Sequence, residues 1–170
     1  MELLTGALSV LTTTLALIMP FSKKMSTVLI FNLVINGLVG VNYLLTESYS
    51  GLLICVAAIV CLVINYFFTS RGRDIPVYIV VLEGVLFLGA NLAVFAYWYD
   101  ILAIIASLLF VLLIAQKTTK YYRVVHIANS LVWLPYDFLS GSYANLFTHS
   151  VLTVAIFVSM FINDRKKGTA

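Results

Sequence analysis

The chain alternates long apolar runs with short polar breaks. Seven apolar runs can be traced, at about residues 3–20, 26–45, 51–69, 76–95, 101–116, 121–139 and 144–163. Because roughly 20 apolar residues in a helix cross the hydrocarbon core of a bilayer, this pattern predicts seven transmembrane helices. The breaks are too short to hold a second domain. We therefore expect an all-α, polytopic membrane protein with a single membrane domain over residues 1–170.

The sixth run carries a polar stripe. His126, Ser130, Trp133 and Asp137 follow one another at spacings of four, three and four residues, which places them on one face of a helix. Polar groups on a lipid-facing surface are costly. We expect this stripe to face the interior of the helix bundle or a water-filled cavity.

Composition and charge agree with a membrane protein and add an orientation. The chain is 62% hydrophobic and 10% charged, with a mean hydropathy of +1.07, which excludes an ordinary soluble domain. The basic residues all fall in or beside the first, third and fifth loops or in the C-terminal tail: Lys23, Lys24, Arg71, Arg73, Lys117, Lys120, Arg123, Arg165, Lys166 and Lys167. Since basic loops stay in the cytoplasm, the N-terminus is predicted outside and the C-terminus inside. Topology thus explains the net charge of +3, and no nucleic-acid partner is implied.

The two halves of the chain show a weak internal repeat. An offset of 94 residues aligns residues 20–71 with 114–165 without a gap, and a basic loop, a Ser-Tyr turn and a final arginine fall in register. The same offset pairs Asn32 with His126, Asn36 with Ser130, Val39 with Trp133 and Tyr43 with Asp137. We predict two parallel three-helix repeats plus a linking helix, a 3+1+3 plan. Its parts are repeat 1 over residues 1–70, the linking helix over 74–96 and repeat 2 over 100–165.

These motifs resemble those of a known family. The segments NYLLTESYSGLL and YDFLSGSYANLF, each following a basic loop and a polar helix, resemble the YgjV-like bacterial inner-membrane proteins. The repeat plan is similar to that of SWEET sugar transporters, PQ-loop proteins and nicotinamide mononucleotide transporters, which implies their fold and a transport role. The proline-glutamine pair of PQ-loop proteins is missing, because Phe21 follows Pro20 and the equivalent position in repeat 2 is Ile114.

Glu83 is the one acidic residue well inside a predicted span, the linking helix. An acidic side chain at mid-helix costs about 2.5–3.5 kcal/mol on insertion, so we expect it to be protonated, hydrogen-bonded or hydrated. Two interpretations stay open: a proton or cation carrier, or a structural carboxyl bonded to a neighbouring helix.

Two functions from different classes fit this pattern. The first is a small-solute transporter or permease of the SWEET-like type, with a central polar site and alternating access. The residues predicted to bind the solute are Asn32, Asn36, Tyr43, Glu83, His126, Ser130, Trp133 and Asp137. The alternative is a non-transporting membrane protein, an interaction or assembly partner, whose polar residues hold helices together.

Catalytic chemistry is not indicated by any motif. The chain has no Gly-rich phosphate loop, nucleophile elbow or paired carboxylates, and no metal-binding spacing such as HxxxH. We expect no enzymatic activity, no catalytic residue, no metal and no cofactor. The expected partners are the lipid bilayer and a small polar solute, with pairing of two copies left open.

Overall fold

Seven α-helices make up the fold. The computed structural model describes residues 2–164, which contain no strand. The helices are α1 (Glu2–Ile18), α2 (Met25–Leu45), α3 (Tyr49–Ser70), α4 (Val77–Ala93), α5 (Asp100–Ile114), α6 (Thr119–Leu139) and α7 (Tyr143–Asp164), and a 3₁₀ turn, Met19–Phe21, follows α1. Every helix matches one predicted apolar run to within two residues at each end. The all-helical prediction is confirmed.

The helices differ in their ability to cross a membrane. Four segments are long and apolar enough: Leu3–Phe21, Met25–Leu45, Gly51–Ser70 and Asn145–Asn163. Helices α4 and α5 are apolar but have only 17 and 15 residues, which correspond to lengths of about 25 and 22 Å. Helix α6 has 21 residues but carries the polar stripe. A multi-pass helical membrane protein is thus confirmed, whereas the crossing of the bilayer by all seven helices stays a prediction.

Large apolar side chains cover the outside of the bundle. Examples on five helices are Val10, Val63, Val85, Leu131 and Phe157, each more than 50% exposed. In water, so continuous an apolar surface would promote aggregation, whereas lipid chains solvate it at no cost. The exposed surface therefore agrees with a membrane environment.

The core lies where the middle helices meet the 3₁₀ turn. Helix α2 packs mainly on α3, and α6 packs on both α5 and α7. The main apolar cluster joins Met19 of the 3₁₀ turn to Val28, Leu62, Leu113 and Tyr122, all almost completely buried. Helix α1 also contacts α7, so the first and last helices are neighbours.

The turns after α2 and α6 have the same hydrogen bonds. The N–H of Ser48 donates to the carbonyl of Tyr43 at 2.9 Å, and the N–H of Ser142 donates to the carbonyl of Asp137 at 2.8 Å. In each turn the residue before the serine has a left-handed backbone conformation, and its N–H donates to a carbonyl of the preceding helix. This pair of hydrogen bonds is the Schellman motif. The donors and acceptors of the two turns are each 94 residues apart, the offset of the predicted repeat.

A reciprocal pair of substitutions follows from these turns. Glu47 has φ 55° and Gly141 has φ 72°, a conformation that costs a residue with a Cβ about 1–2 kcal/mol. We expect Glu47→Gly to raise, and Gly141→Ala to lower, the free energy of unfolding by about 1 kcal/mol. Detergent-solubilised protein unfolded with denaturant gives both values. Glu47→Ala, which removes the carboxylate but keeps the strain, should change little, and equal signs for the two substitutions would contradict the prediction.

The basic loops meet at one end of the bundle. Lys117 forms an ion pair of 2.8 Å with Asp74, which joins the fifth loop to the third. Arg123 at the start of α6 donates to the carbonyl of Ser22 at 3.1 Å, which joins α6 to the first loop. Arg165, Lys166 and Lys167 of the predicted C-terminal tail lie outside the described residues.

Candidate functional site

The polar stripe of α6 faces inward, as its spacing predicts. Helix α6 begins after Thr118, whose hydroxyl accepts a hydrogen bond from the N–H of Tyr121, and it continues through Pro135 to Leu139. His126, Ser130 and Asp137 are buried, and Trp133 is half-buried. The 3.6-residue period alone was enough to orient this helix.

Two atoms of the stripe are buried without a hydrogen-bond partner among the described residues. They are Nδ1 of His126 and Oγ of Ser130, which lie one helical turn apart. Ser130 is completely buried, and the His126 ring packs edge-on against Tyr122 with ring centroids 5.4 Å apart. An unpaired buried polar group costs about 1–3 kcal/mol, so these two atoms are where the stripe can accept a new partner.

Further along α6, Asp137 and Trp133 share one neighbour on α7. Nδ1 of His149 lies 2.6 Å from Oδ2 of Asp137, and Asp137 is almost completely buried. The imidazole also stacks on the indole of Trp133, with ring centroids 5.7 Å apart and an angle of 14° between the planes. The cluster therefore combines a buried acid, an imidazole and an aromatic surface.

Helix α2 supplies polar groups at the depth of the first turns of α6. Nδ2 of Asn32 lies 3.0 Å from the hydroxyl of Tyr122, which links α2 to α6. Nδ2 of Asn36 donates to the carbonyl of Asn32 at 2.9 Å. Asn32 is thus part of a helix-to-helix contact, and Asn36 is half-buried with its amide nitrogen turned back on its own helix.

Tyr43 lies at the far end of α2. Its ring packs so closely on Gly51 of α3 that a Cβ there would come within 2.7 Å of ring atoms. Tyr43 therefore contributes to the packing of α2 on α3, and its place in the solute site stays a prediction.

Glu83 lies apart from the other predicted site residues. Its Oε2 accepts a hydrogen bond of 3.1 Å from Nδ2 of Asn65 on α3. The cleft that its side chain lines is formed by α3 and α4, so its surroundings belong to those two helices. The hydrogen-bonded state is one of the three expected for this carboxyl, and its placement in a central solute site stays a prediction.

Three side chains in these contacts were not predicted from the sequence. No spacing joins His149 to Asp137, although a buried carboxyl requires a partner. Arg123 was read as a loop charge, yet it is buried and its Nε donates to the carbonyl of Pro20 at 2.9 Å. Ser159 of α7 donates to the same carbonyl at 2.5 Å. The position of Arg123 inside the apolar run 121–139 was the signal that could have found it.

The arrangement offers hydrogen bonding, a charge pair and aromatic contact. Within the described residues, no group of three or more His, Cys, Asp or Glu side chains is arranged to hold a metal ion. Helices α6 and α7 thus bring together unpaired polar atoms, a buried acid and an aromatic surface.

Comparison with known proteins places the chain in a family. The family model Imp-YgjV, described as "Bacterial inner membrane protein", matches residues 3–167. No curated protein and no solved structure matches the chain.

Proposed function

This chain belongs to the Imp-YgjV family of bacterial inner membrane proteins, and we propose that in that membrane it is a small-solute transporter or permease. The solute would bind between α2 and α6, at a central polar site of the SWEET-like kind. Access to the site would alternate between the two sides of the membrane. No catalytic step is part of this proposal.

The observation that carries the proposal is the pair of unpaired polar atoms on α6. Nδ1 of His126 and Oγ of Ser130 are buried and have no hydrogen-bond partner among the described residues. A chain that needed only to hold its helices together would gain stability by replacing both with apolar groups. A solute that bonds to both atoms removes this penalty, and Trp133 one turn away can cover an apolar face of the same molecule.

The repeat plan supports a two-part transporter. We propose that residues 1–70 and 100–165 form parallel three-helix repeats linked by α4, and that all seven helices cross the membrane. The Schellman turns after α2 and α6, 94 residues apart, agree with this plan. The contact of Lys117 with Asp74 agrees with a cytoplasmic position of both loops, which leaves the N-terminus outside.

Movement of the solute would follow from relative movement of the repeats. Asn36 and Tyr43 belong to one proposed repeat, and His126, Ser130 and Trp133 belong to the other, so a solute between them touches both. Rocking of the two units about this contact exposes the solute to one side at a time. Glu83 is bonded to Asn65 on α3, and its part in this pathway stays a prediction.

A second candidate function is favoured by the remaining polar contacts. Asn32 bonds to Tyr122, and Asn129 of α6 donates to the carbonyl of Ala106 on α5 at 2.6 Å. Such bonds hold helices together at about 0.6–2 kcal/mol each. They fit a non-transporting interaction or assembly partner as well as a transporter.

Cysteine accessibility separates the two candidates. Cys55 and Cys61 are first replaced by alanine, and single Ser130→Cys and Ser159→Cys variants are compared in membrane vesicles. Both serines are completely buried, but Ser159 is bonded to the carbonyl of Pro20, whereas Ser130 has an unpaired hydroxyl. We expect N-ethylmaleimide to modify Ser130→Cys at least about tenfold faster, because the open states of a transporter expose the pathway.

The three outcomes have distinct meanings. Faster labelling of Ser130→Cys supports a solvated pathway, and an impermeant maleimide then shows from which side it opens. No labelling at either position would point to a closed interior and to the assembly candidate. Equal labelling at both positions would indicate general loosening of the fold and would contradict a defined pathway.

A further inference from the structure

A crevice runs between α3 and α4, away from the α6 stripe. It consists of two adjoining clefts of about 520 and 150 Å³, which share Val60 and Leu86 as lining residues. The walls of the larger cleft are apolar and include Val56, Val85 and Gly89. Because side chains exposed to the outside of the bundle line it, the crevice opens sideways toward the lipid.

The smaller cleft ends on a buried carboxyl group with free hydrogen-bonding capacity. Glu83 lines this cleft and is only 3% exposed. Its Oε2 accepts the hydrogen bond from Asn65, but no donor within the described chain reaches Oε1. Oδ1 of Asn65 also has no partner among these residues. Of these two buried oxygens, the one on Glu83 belongs to a residue that lines the smaller cleft.

The unpaired Oε1 of Glu83 defines the missing partner as a hydrogen-bond donor. A carboxylate in apolar surroundings is stabilised most by a positively charged donor, since charge-assisted hydrogen bonds are about twice as strong as neutral ones. The apolar walls require the remainder of that molecule to be hydrophobic. A primary ammonium has three N–H donors and no acceptor, so it suits a carboxyl oxygen that lacks a donor.

We propose that the crevice between α3 and α4 binds a lipophilic primary ammonium compound that enters from the bilayer. The ammonium group bonds to Oε1 of Glu83, and the apolar body lies along Val60 and Leu86. This site is separate from the central solute site, so either proposal can fail while the other stands.

A fluorescent amine tests the proposal on the full chain. Dansylcadaverine carries a primary ammonium on an alkyl chain and brightens in apolar surroundings. Its binding is measured with protein in phosphatidylcholine nanodiscs, and the signal from empty nanodiscs is subtracted. We expect saturable binding that hexylammonium displaces and hexanol does not. Loss of the carboxylate in Glu83→Gln should weaken binding at least about tenfold, the value of one charge-assisted hydrogen bond.

Two further variants keep the test decisive. Gly89→Leu places a side chain in the crevice. A Cβ at Gly89 has no other atom within 4 Å, so this variant should fold and retain Glu83. We expect it to lose dansylcadaverine binding to the same degree as Glu83→Gln. Asp137→Asn, which removes the buried carboxylate of the α6 stripe, should bind dansylcadaverine as the unmodified chain does. Should Glu83→Gln fail to fold, Gly89→Leu alone decides.

Four results would overturn the proposal. Absence of saturable binding would mean that the crevice holds only lipid chains, water or a partner helix. Unchanged binding in both Glu83→Gln and Gly89→Leu would place the amine outside the crevice. Loss of binding in Asp137→Asn alone would place the amine at the α6 stripe. Equal displacement by hexanol would show that the site selects apolar bodies without regard to charge.

Discussion

Replacing Arg123 with methionine is expected to lower the free energy of unfolding by about 3 kcal/mol. The guanidinium is 1% exposed and bonds to the backbone carbonyls of Pro20 and Ser22. Methionine fills much of the same space but has no donor, so both carbonyls lose a charge-assisted partner inside the bundle. Unfolding of the purified protein in mixed micelles, followed by far-UV circular dichroism, measures the loss.

The matched control is an arginine at the surface. Arg71 is exposed, and its guanidinium lies 3.7 Å from the centre of the Phe67 ring, a contact that contributes about 0.5–1 kcal/mol at such sites. Arg71→Met should therefore cost less than about 1 kcal/mol. Arg123→Lys keeps the charge but lacks the planar fork, and we expect an intermediate loss. Equal losses for Arg71→Met and Arg123→Met would show that the buried contacts contribute nothing.

The position of Arg123 explains why its removal should be costly. Through Pro20 and Ser22 it holds the connection between α1 and α2 against the start of α6, and Ser159 adds a bond from α7 to the same connection. The 3₁₀ turn is thus fixed by α6 and α7, which are distant in sequence. In the proposed repeat plan, this contact is also one of the places where the two repeats are joined.

Local pattern was sufficient to predict the helices and the inward face of α6. The apolar run 121–139 predicted Thr119–Leu139, and the four-three-four spacing predicted that His126, Ser130 and Asp137 would be buried. Both depend on the geometry of a single helix, which a period of 3.6 residues encodes directly.

Contacts between helices could not be predicted in the same way. Asn65 bonds to Glu83 from 18 residues away, and Asn32 bonds to Tyr122 from 90 residues away. Periodicity orients each helix about its own axis, but the choice of neighbour depends on how complementary surfaces pack. For this reason the sequence could not identify α3 as the helix to which Glu83 bonds.

The same limit applies to the contact between Asp137 and His149. The sequence places both residues within spans, but their relative depth depends on how α7 packs against α6. Once the two are adjacent, the energetic consequence is clear. The side chain of Asp137 is 2% exposed, so its carboxyl group depends on its partner. The side chain of His149 is 26% exposed and retains some contact with the surroundings of the bundle.

We therefore expect His149→Phe to lower the free energy of unfolding by about 3 kcal/mol, because it leaves the Asp137 carboxylate buried and uncompensated. Phenylalanine keeps an aromatic ring against Trp133, so the stacking seen at 5.7 Å is preserved and only the polar contact is lost. Asp137→Asn removes the charge and should cost about 1 kcal/mol. The double variant should be more stable than His149→Phe alone, because the stranded charge is gone.

The size of this rescue measures the interaction itself. A coupling of about 1–3 kcal/mol between the two substitutions is expected for groups in direct contact. His126→Phe combined with Asp137→Asn is the matched cycle, because the two residues are 11 positions apart on α6, or about 16 Å, and their effects should add. If the Asp137 and His149 effects also add to within about 0.5 kcal/mol, the pair does not stabilise the fold. Its burial beside Trp133 would then have to be explained by binding.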